Sequence, residues 1–118
     1  MNGFMISPTC IINGIGQTLS LDIINVEGAT GDIHSNFEAK GLAAIRTLQS
    51  GSNEDGAYNF GFLHIKGIDD AGHDQNVSLK VSLFEKIDGM LSSCLDAINQ
   101  PVILKKFRVP NFNFSVLQ

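Results

Sequence analysis

Between Tyr58 and Ile98 the chain changes its hydrophobic period, and that change dictates most of what it can fold into. Tyr58–Lys66 (YNFGFLHIK) is apolar at both alternating sets of positions. Such a run suits an inner strand of a sheet covered by helices on both sides better than a half-solvated strand. Val77, Val81, Phe84, Ile87, Leu91, Leu95 and Ile98 then recur at helical spacing and predict a long helix. Between the two lies Gly67-Ile68-Asp69-Asp70-Ala71-Gly72-His73-Asp74, a strand-to-helix loop holding carboxylates, an imidazole and two glycines.

The upstream sequence repeats the alternation. Ser7-Pro8 reads as a helix start, with Ser7 as N-cap and Pro8 in the first helical position. Ile11, Ile12, Ile15 and Leu19 continue it at helical spacing. Gly14 and Gly16 each weaken such a helix by up to ~1 kcal/mol relative to Ala, which points to close packing there. Asp22–Val26 is a short β-branched run and predicts a strand. Glu27–Asp32 is a glycine-containing loop. Ser35 or Asn36 caps a second helix whose apolar face is Phe37, Gly41, Ala44, Ile45 and Leu48. The resulting order, helix-strand-helix-strand-helix, is that of an α/β sheet protein with helices on both faces. In such sheets ligands bind beyond the carboxyl ends of the strands, where the Asp69–His73 segment falls. From Pro101 the pattern decays: Val102–Leu104 suits a short strand, and Arg108–Gln118 has no clear period.

With 118 residues the chain is one domain or a piece of one. Eight Lys and Arg against a net charge of -4 argue against nucleic-acid binding. No apolar run approaches the ~20 residues that cross a bilayer, and the N-terminus lacks the basic and apolar regions of a signal peptide. Cys10 and Cys94 are lone cysteines in apolar helical contexts, which points to a reducing, cytoplasmic compartment.

Asp69 and His73 are the candidate metal ligands. A carboxylate and an imidazole four residues apart can reach one cation if the backbone turns between them, and Gly72 eases that turn. Oxygen and nitrogen donors suit Mn2+ or Zn2+, and Mg2+ less well. Spacing alone leaves open a polar loop with an exposed histidine. Asp70 and Asp74 read as outer groups or solvated carboxylates. His64 reads as a core or strand-end histidine, His34 has no evident partner, and Lys66 ends the strand at the same mouth. Gly28-Ala29-Thr30-Gly31 is not a P-loop, because the Gly-Lys-Ser/Thr ending is missing. No serine lies in a GxSxG context, and the chain has no HExxH or EF-hand loop.

Three segments taken in order carry more information. They are Ile24-Asn25-Val26-Glu27-Gly28-Ala29-Thr30-Gly31, then Ser35-Asn36-Phe37-Glu38-Ala39-Lys40, then Phe60–Asp74 with its HxKxxDDAGHD pattern. This combination closely resembles the archaeal-type, cofactor-independent (2,3-bisphosphoglycerate-independent) phosphoglycerate mutases of the alkaline phosphatase superfamily. The resemblance covers roughly residues 5 to 98 and extends to Lys80, Glu85, Ile87 and Asp88 of the last helix. It implies a partial alkaline-phosphatase-like sheet over residues 1–100, with 101–118 as a divergent tail. It implies interconversion of 3-phosphoglycerate and 2-phosphoglycerate in glycolysis, through two divalent metals (Mn2+, Mg2+ or Zn2+) and a phosphorylated serine. By position it makes Asp69 and His73 ligands of one metal.

The chain departs from that family in what is missing. The family's metal-binding Asp and nucleophilic Ser, its substrate-binding insertion and its later Asp-His and His ligands have no counterpart here. Past residue 98 there is no His, Asp or Glu. The expectation is therefore an internal or C-terminal fragment with an incomplete metal site, no catalytic residue of its own and no turnover alone. Two other readings stay open: another metal-dependent phosphohydrolase or phosphomutase of the superfamily, and a non-catalytic α/β module. A sheet lacking neighbouring strands also predicts self-association through its exposed edges.

Overall fold

The computed structural model describes residues 2–50 and 57–99. The sheet's central strand is β1, Gly3–Ile6, which precedes the first expected helix. All four of its residues are buried, so its two faces serve two different layers. After β1 come α1 (Cys10–Thr18), β2 (Asp22–Ile23), α2 (Phe37–Gln49), β3 (Phe60–Leu63), α3 (Ile68–His73) and α4 (Val77–Asn99). The α/β alternation stands, with a strand added at the start and a short helix in place of the loop before α4. The expected strand at Val102–Leu104 and the tail 101–118 lie outside the described residues.

The sheet is parallel with order β2-β1-β3. Phe4 pairs with Asp22 on one side and with Gly61 on the other. β3 therefore lies at an edge among the described strands, and β1 holds the inner position expected of Tyr58–Lys66. Of the hydrophobic run only Phe60–Leu63 is strand, and its position in the sheet depends on the short β1 that it pairs with. Phe60 and Phe62 are each 36% exposed as a result.

The two faces of β1 are separately covered. Met5 faces α1, where a Cβ on Gly16 would lie 2.8 Å from the Met5 sulfur. That is the close packing the glycine implied. Gly14 has nothing within 4 Å and has no such reason. Ile6 and Leu63, paired across the strands, lie on the opposite face, and Leu63 packs on the core formed by Phe37, Ala71, Leu83, Met90 and Cys94. A side chain such as Leu83, wholly removed from water, contributes roughly 1.5–3 kcal/mol.

Two helix details differ from the sequence pattern. α1 starts at Cys10 rather than Pro8, with Thr9 at the N-cap and no side-chain cap; the Ser7 hydroxyl accepts from the Thr9 N–H and also meets His64. α4 covers the predicted segment but is rotated about its axis, so that of the predicted face Ile87 and Leu91 pack on the core, and only in part. Leu83, Met90 and Cys94 are buried, whereas Val77, Val81, Phe84 and Leu95 are exposed. At 3.6 residues per turn these two sets are centred about 125° apart. The second helix conforms to expectation: Asn36 is its N-cap, and its side-chain oxygen accepts from the Ala39 N–H at 2.9 Å.

Candidate metal half-site and the sheet's carboxyl end

Asp69 and His73 come together on α3. The segment is helical, so the two residues stand one turn apart on the same face. Asp69 Oδ2 lies 3.3 Å from His73 Nε2, with the side chains 82% and 78% exposed. A donor edge of that length suits adjacent positions around a divalent cation with bonds of about 2.1 Å. The donor chemistry fits a metal, and the pair offers two ligands. Among the described residues no group of three or more His, Cys, Asp or Glu could hold an ion. Asp74 is exposed and Asp70 partly so, and neither joins the pair.

The loop Glu27–Asn36 fixes where α3 begins. Gly28 turns it with a φ of +73°, and the Asn36 N–H donates back to the Gly28 carbonyl at 3.0 Å. Asp32 Oδ1 accepts from the Thr30 hydroxyl at 3.0 Å and from the His34 N–H at 2.7 Å. These hydrogen bonds, the backbone donor first, hold the Asp32 carboxyl below its usual range. Gly67, which opens α3, has a φ of +104° and lies so close to the loop that a Cβ there would sit 2.9 Å from the Asp32 carbonyl oxygen. Loop and α3 are thus clamped together at a position only glycine fills.

Beneath the loop sits Lys40, wholly buried, its Nζ donating to the Thr30 carbonyl at 3.0 Å. The Phe37 ring centroid is 5.8 Å from the same ammonium. Burial pushes this lysine below its ordinary value, partly opposed by Asp32. Beside it, Ser7 Oγ and His64 Nδ1 meet at 3.0 Å across the ends of β1 and β3. His64 is a half-buried strand-end histidine, its pKa lowered by burial and then by the Lys40 and Lys66 cations. His34 and Lys66 are exposed, and Lys66 has no ion pair among the described residues. A groove of about 450 Å³ along Val26, Glu27 and α2 contains none of these groups except Asn36, and its lining omits Asp69 and His73.

Sequence comparison places this geometry in a family. The Metalloenzyme superfamily profile matches residues 1–104. The chain belongs to the Metalloenzyme superfamily. A 2,3-bisphosphoglycerate-independent phosphoglycerate mutase of Methanococcus maripaludis is 40% identical over 100 residues, covering 85% of this chain and 23% of the relative. The protein of the same name from Saccharolobus solfataricus is 37% identical over 102 residues, covering 86% and 23%. The solved structure of PH0037 protein from Pyrococcus horikoshii superposes with a TM-score of 0.71 at 33% identity, covering 80% of this chain and 27% of that one. The chain therefore spans about a quarter of the length of its curated relatives. The resemblance read from the three sequence segments stands, and the sheet and helices are consistent with part of an alkaline-phosphatase-like fold. Within the described residues no helix is long and apolar enough to cross a membrane.

Lys40 is a site residue to which the sequence pattern gives no role, and Ser7 is one it gives only a capping role. Lys40 lay within the family-like segment, and its burial follows only from the loop folding over it. Ser7 looked like a helix cap because Pro8 follows it. Its partner is 57 residues away and becomes visible only with the β1–β3 register.

Proposed function

We propose that this chain is the portion of a 2,3-bisphosphoglycerate-independent phosphoglycerate mutase that presents one Asp-His half of a metal site, and that alone it does not turn over phosphoglycerate. The observation that carries the reading is the Asp69–His73 pair, 3.3 Å apart on the exposed face of α3, in a chain whose relatives bear that name. Asp69 and His73 would hold a divalent cation, Mn2+, Mg2+ or Zn2+, which supplies Lewis acidity to a phosphoryl oxygen when bound. The loop clamp at Gly67 sets where the two side chains point, and the remaining coordination positions are open to solvent or to other ligands. Such a half-site binds metal weakly, because protein ligands occupy few of the positions. The small-molecule partner is phosphoglycerate. Both cysteines are free thiols, which supports a reducing cytoplasmic setting. The outer edge of β3, which has no partner strand among the described residues, supports self-association.

Mutase assays and Mn2+ titration calorimetry on the 118-residue chain test this reading. The expected result is no interconversion of 3- and 2-phosphoglycerate and Mn2+ binding no tighter than about 10 μM, lost in Asp69→Ala and His73→Ala. Turnover abolished by Asp69→Ala would overturn the inactivity. Metal binding unaffected by both substitutions would overturn the half-site.

A further inference from the structure

We propose that the crevice between the carboxyl ends of β1 and β3 binds an oxyanion through the Nε2–H of His64 and the Lys66 ammonium, with Ser7 as the positioning residue that fixes the imidazole's tautomer.

The topology supplies the place. α1 carries the chain from β1 to β2 over the Met5 face, and α2 carries it from β2 back across β1 to β3 over the opposite face. The strand order reverses between β1 and β3, and at such a switch point the two connections part and leave a crevice. Ser7 is the first residue past β1 and His64 the first past β3. The Ile6–Leu63 register and a hydrogen bond from the His64 N–H to the Ile6 carbonyl, 2.9 Å, set them side by side.

Hydrogen-bond satisfaction supplies the tautomer. Ser7 is 9% exposed, and its Oγ accepts from the Thr9 N–H at 3.2 Å. Its single proton has one acceptor among the described residues, His64 Nδ1 at 3.0 Å. With the ring proton on Nδ1 the serine would accept twice and leave its own proton unpaired in a buried position, which costs about 1–3 kcal/mol. The ring proton therefore resides on Nε2. That nitrogen has no hydrogen-bond partner among the described residues and is not sealed from solvent.

Charge supplies the ligand class. Burial and the Lys40 and Lys66 cations keep the His64 imidazole neutral near neutral pH, so it is a directed donor rather than a cation. Gly31 lies against the same strand ends: a Cβ on it would lie 3.6 Å from Pro8 and 3.8 Å from Lys66 Cδ. The Asp32 carboxylate on the same loop is already occupied by Thr30 and His34, while Lys66 has no ion pair among the described residues. A neutral N–H donor within the field of an unpaired ammonium two residues along the chain suits a phosphate or carboxylate group. Only the choice of probes rests on the phosphoglycerate reading.

The test is NMR on the full chain labelled with 15N-histidine, in chelator-treated buffer so that the metal reading does not enter. Long-range 1H–15N correlations near neutral pH are expected to show His64 as the Nε2–H tautomer. Ser7→Thr should keep it, and Ser7→Ala should give a mixture. Inorganic phosphate and glycerate are then titrated separately at constant ionic strength. Saturable shifts at His64, with His34 unmoved, are expected for at least one of them, and the responding probe identifies a phosphoryl or a carboxylate subsite. Lys66→Gln, a change at an exposed side chain, should weaken that binding roughly tenfold, the loss of one charge-assisted contact. An Nδ1–H tautomer in the parent chain overturns the positioning role. Shifts no larger than those from chloride, or unchanged in Lys66→Gln, overturn the oxyanion site. Neither result bears on whether Asp69 and His73 bind metal.

Discussion

At the scale of single residues, the site is held by a glycine and a buried cation. Gly67→Ala places a methyl against the Asp32 carbonyl at a φ of +104°. The expected cost is about 1–3 kcal/mol in urea unfolding, with the Asp69–His73 metal affinity falling as α3 shifts. Unchanged stability and affinity would show that the loop clamp positions nothing. Lys40 gives a pH signature. Its folded-state value is depressed below 10.5 by burial, so the unfolded chain binds the extra proton between that lowered value and 10.5. Its contribution is complete above 10.5 and is lost as pH falls through the lowered folded value. Stability should therefore rise with pH across that window in the parent chain relative to Lys40→Met, and parallel pH profiles of the two urea midpoints would refute this. These residues also show what a sequence discloses. Asn36 was legible as a cap and Asp69–His73 as a neighbouring pair, because both interactions close within one helical turn. The Ser7–His64 contact was not, because it exists only through strand pairing.

At the scale of elements, the limiting contact is between α2 and α4. A Cβ on Gly41 would fall 2.6 Å from Met90 Cγ and 2.7 Å from Cys94 Sγ, so the helices approach to the distance a hydrogen permits. Gly41→Ala gains up to ~1 kcal/mol of helix propensity. It should still destabilise by about 1–3 kcal/mol, since overpacking forces the helices apart. A rise in the urea midpoint would mean that Met90 yields freely. The same helix explains one misread feature. Periodicity identified α4 correctly as an element, but its apolar residues occupy more than one stripe, so period alone does not say which stripe meets α2. The choice falls to Leu83, Met90 and Cys94, the last two meeting Gly41 at its closest approach. β1 is illegible in the sequence for a related reason: four residues ending at a Ser-Pro helix signal carry too little pattern to register as a strand.

At the scale of the whole molecule, the apolar surface left uncovered matters most. β3 has a partner on one edge only among the described strands, and Phe60 and Phe62 stand beside that edge at 36% exposure each. Ile11 and Ile15 on α1, with Leu19 at its C-cap, form an exposed stripe, and Val77, Val81, Phe84 and Leu95 form another on α4. An unpaired strand edge flanked by apolar side chains favours pairing with a second copy, because backbone donors and acceptors and apolar area are satisfied together. The expected outcome is a weight-average mass that rises with concentration in sedimentation equilibrium, together with a urea midpoint that rises in parallel, since assembly stabilises the folded state by mass action. Phe62→Lys puts a charge beside the edge and should shift the assembly toward monomer, whereas Phe84→Lys, on α4, should leave edge pairing intact. Equal loss of assembly from the two substitutions would mean that general apolar contact, not the β3 edge, drives association. A chain that stays monomeric at every concentration would show that the edge is already protected.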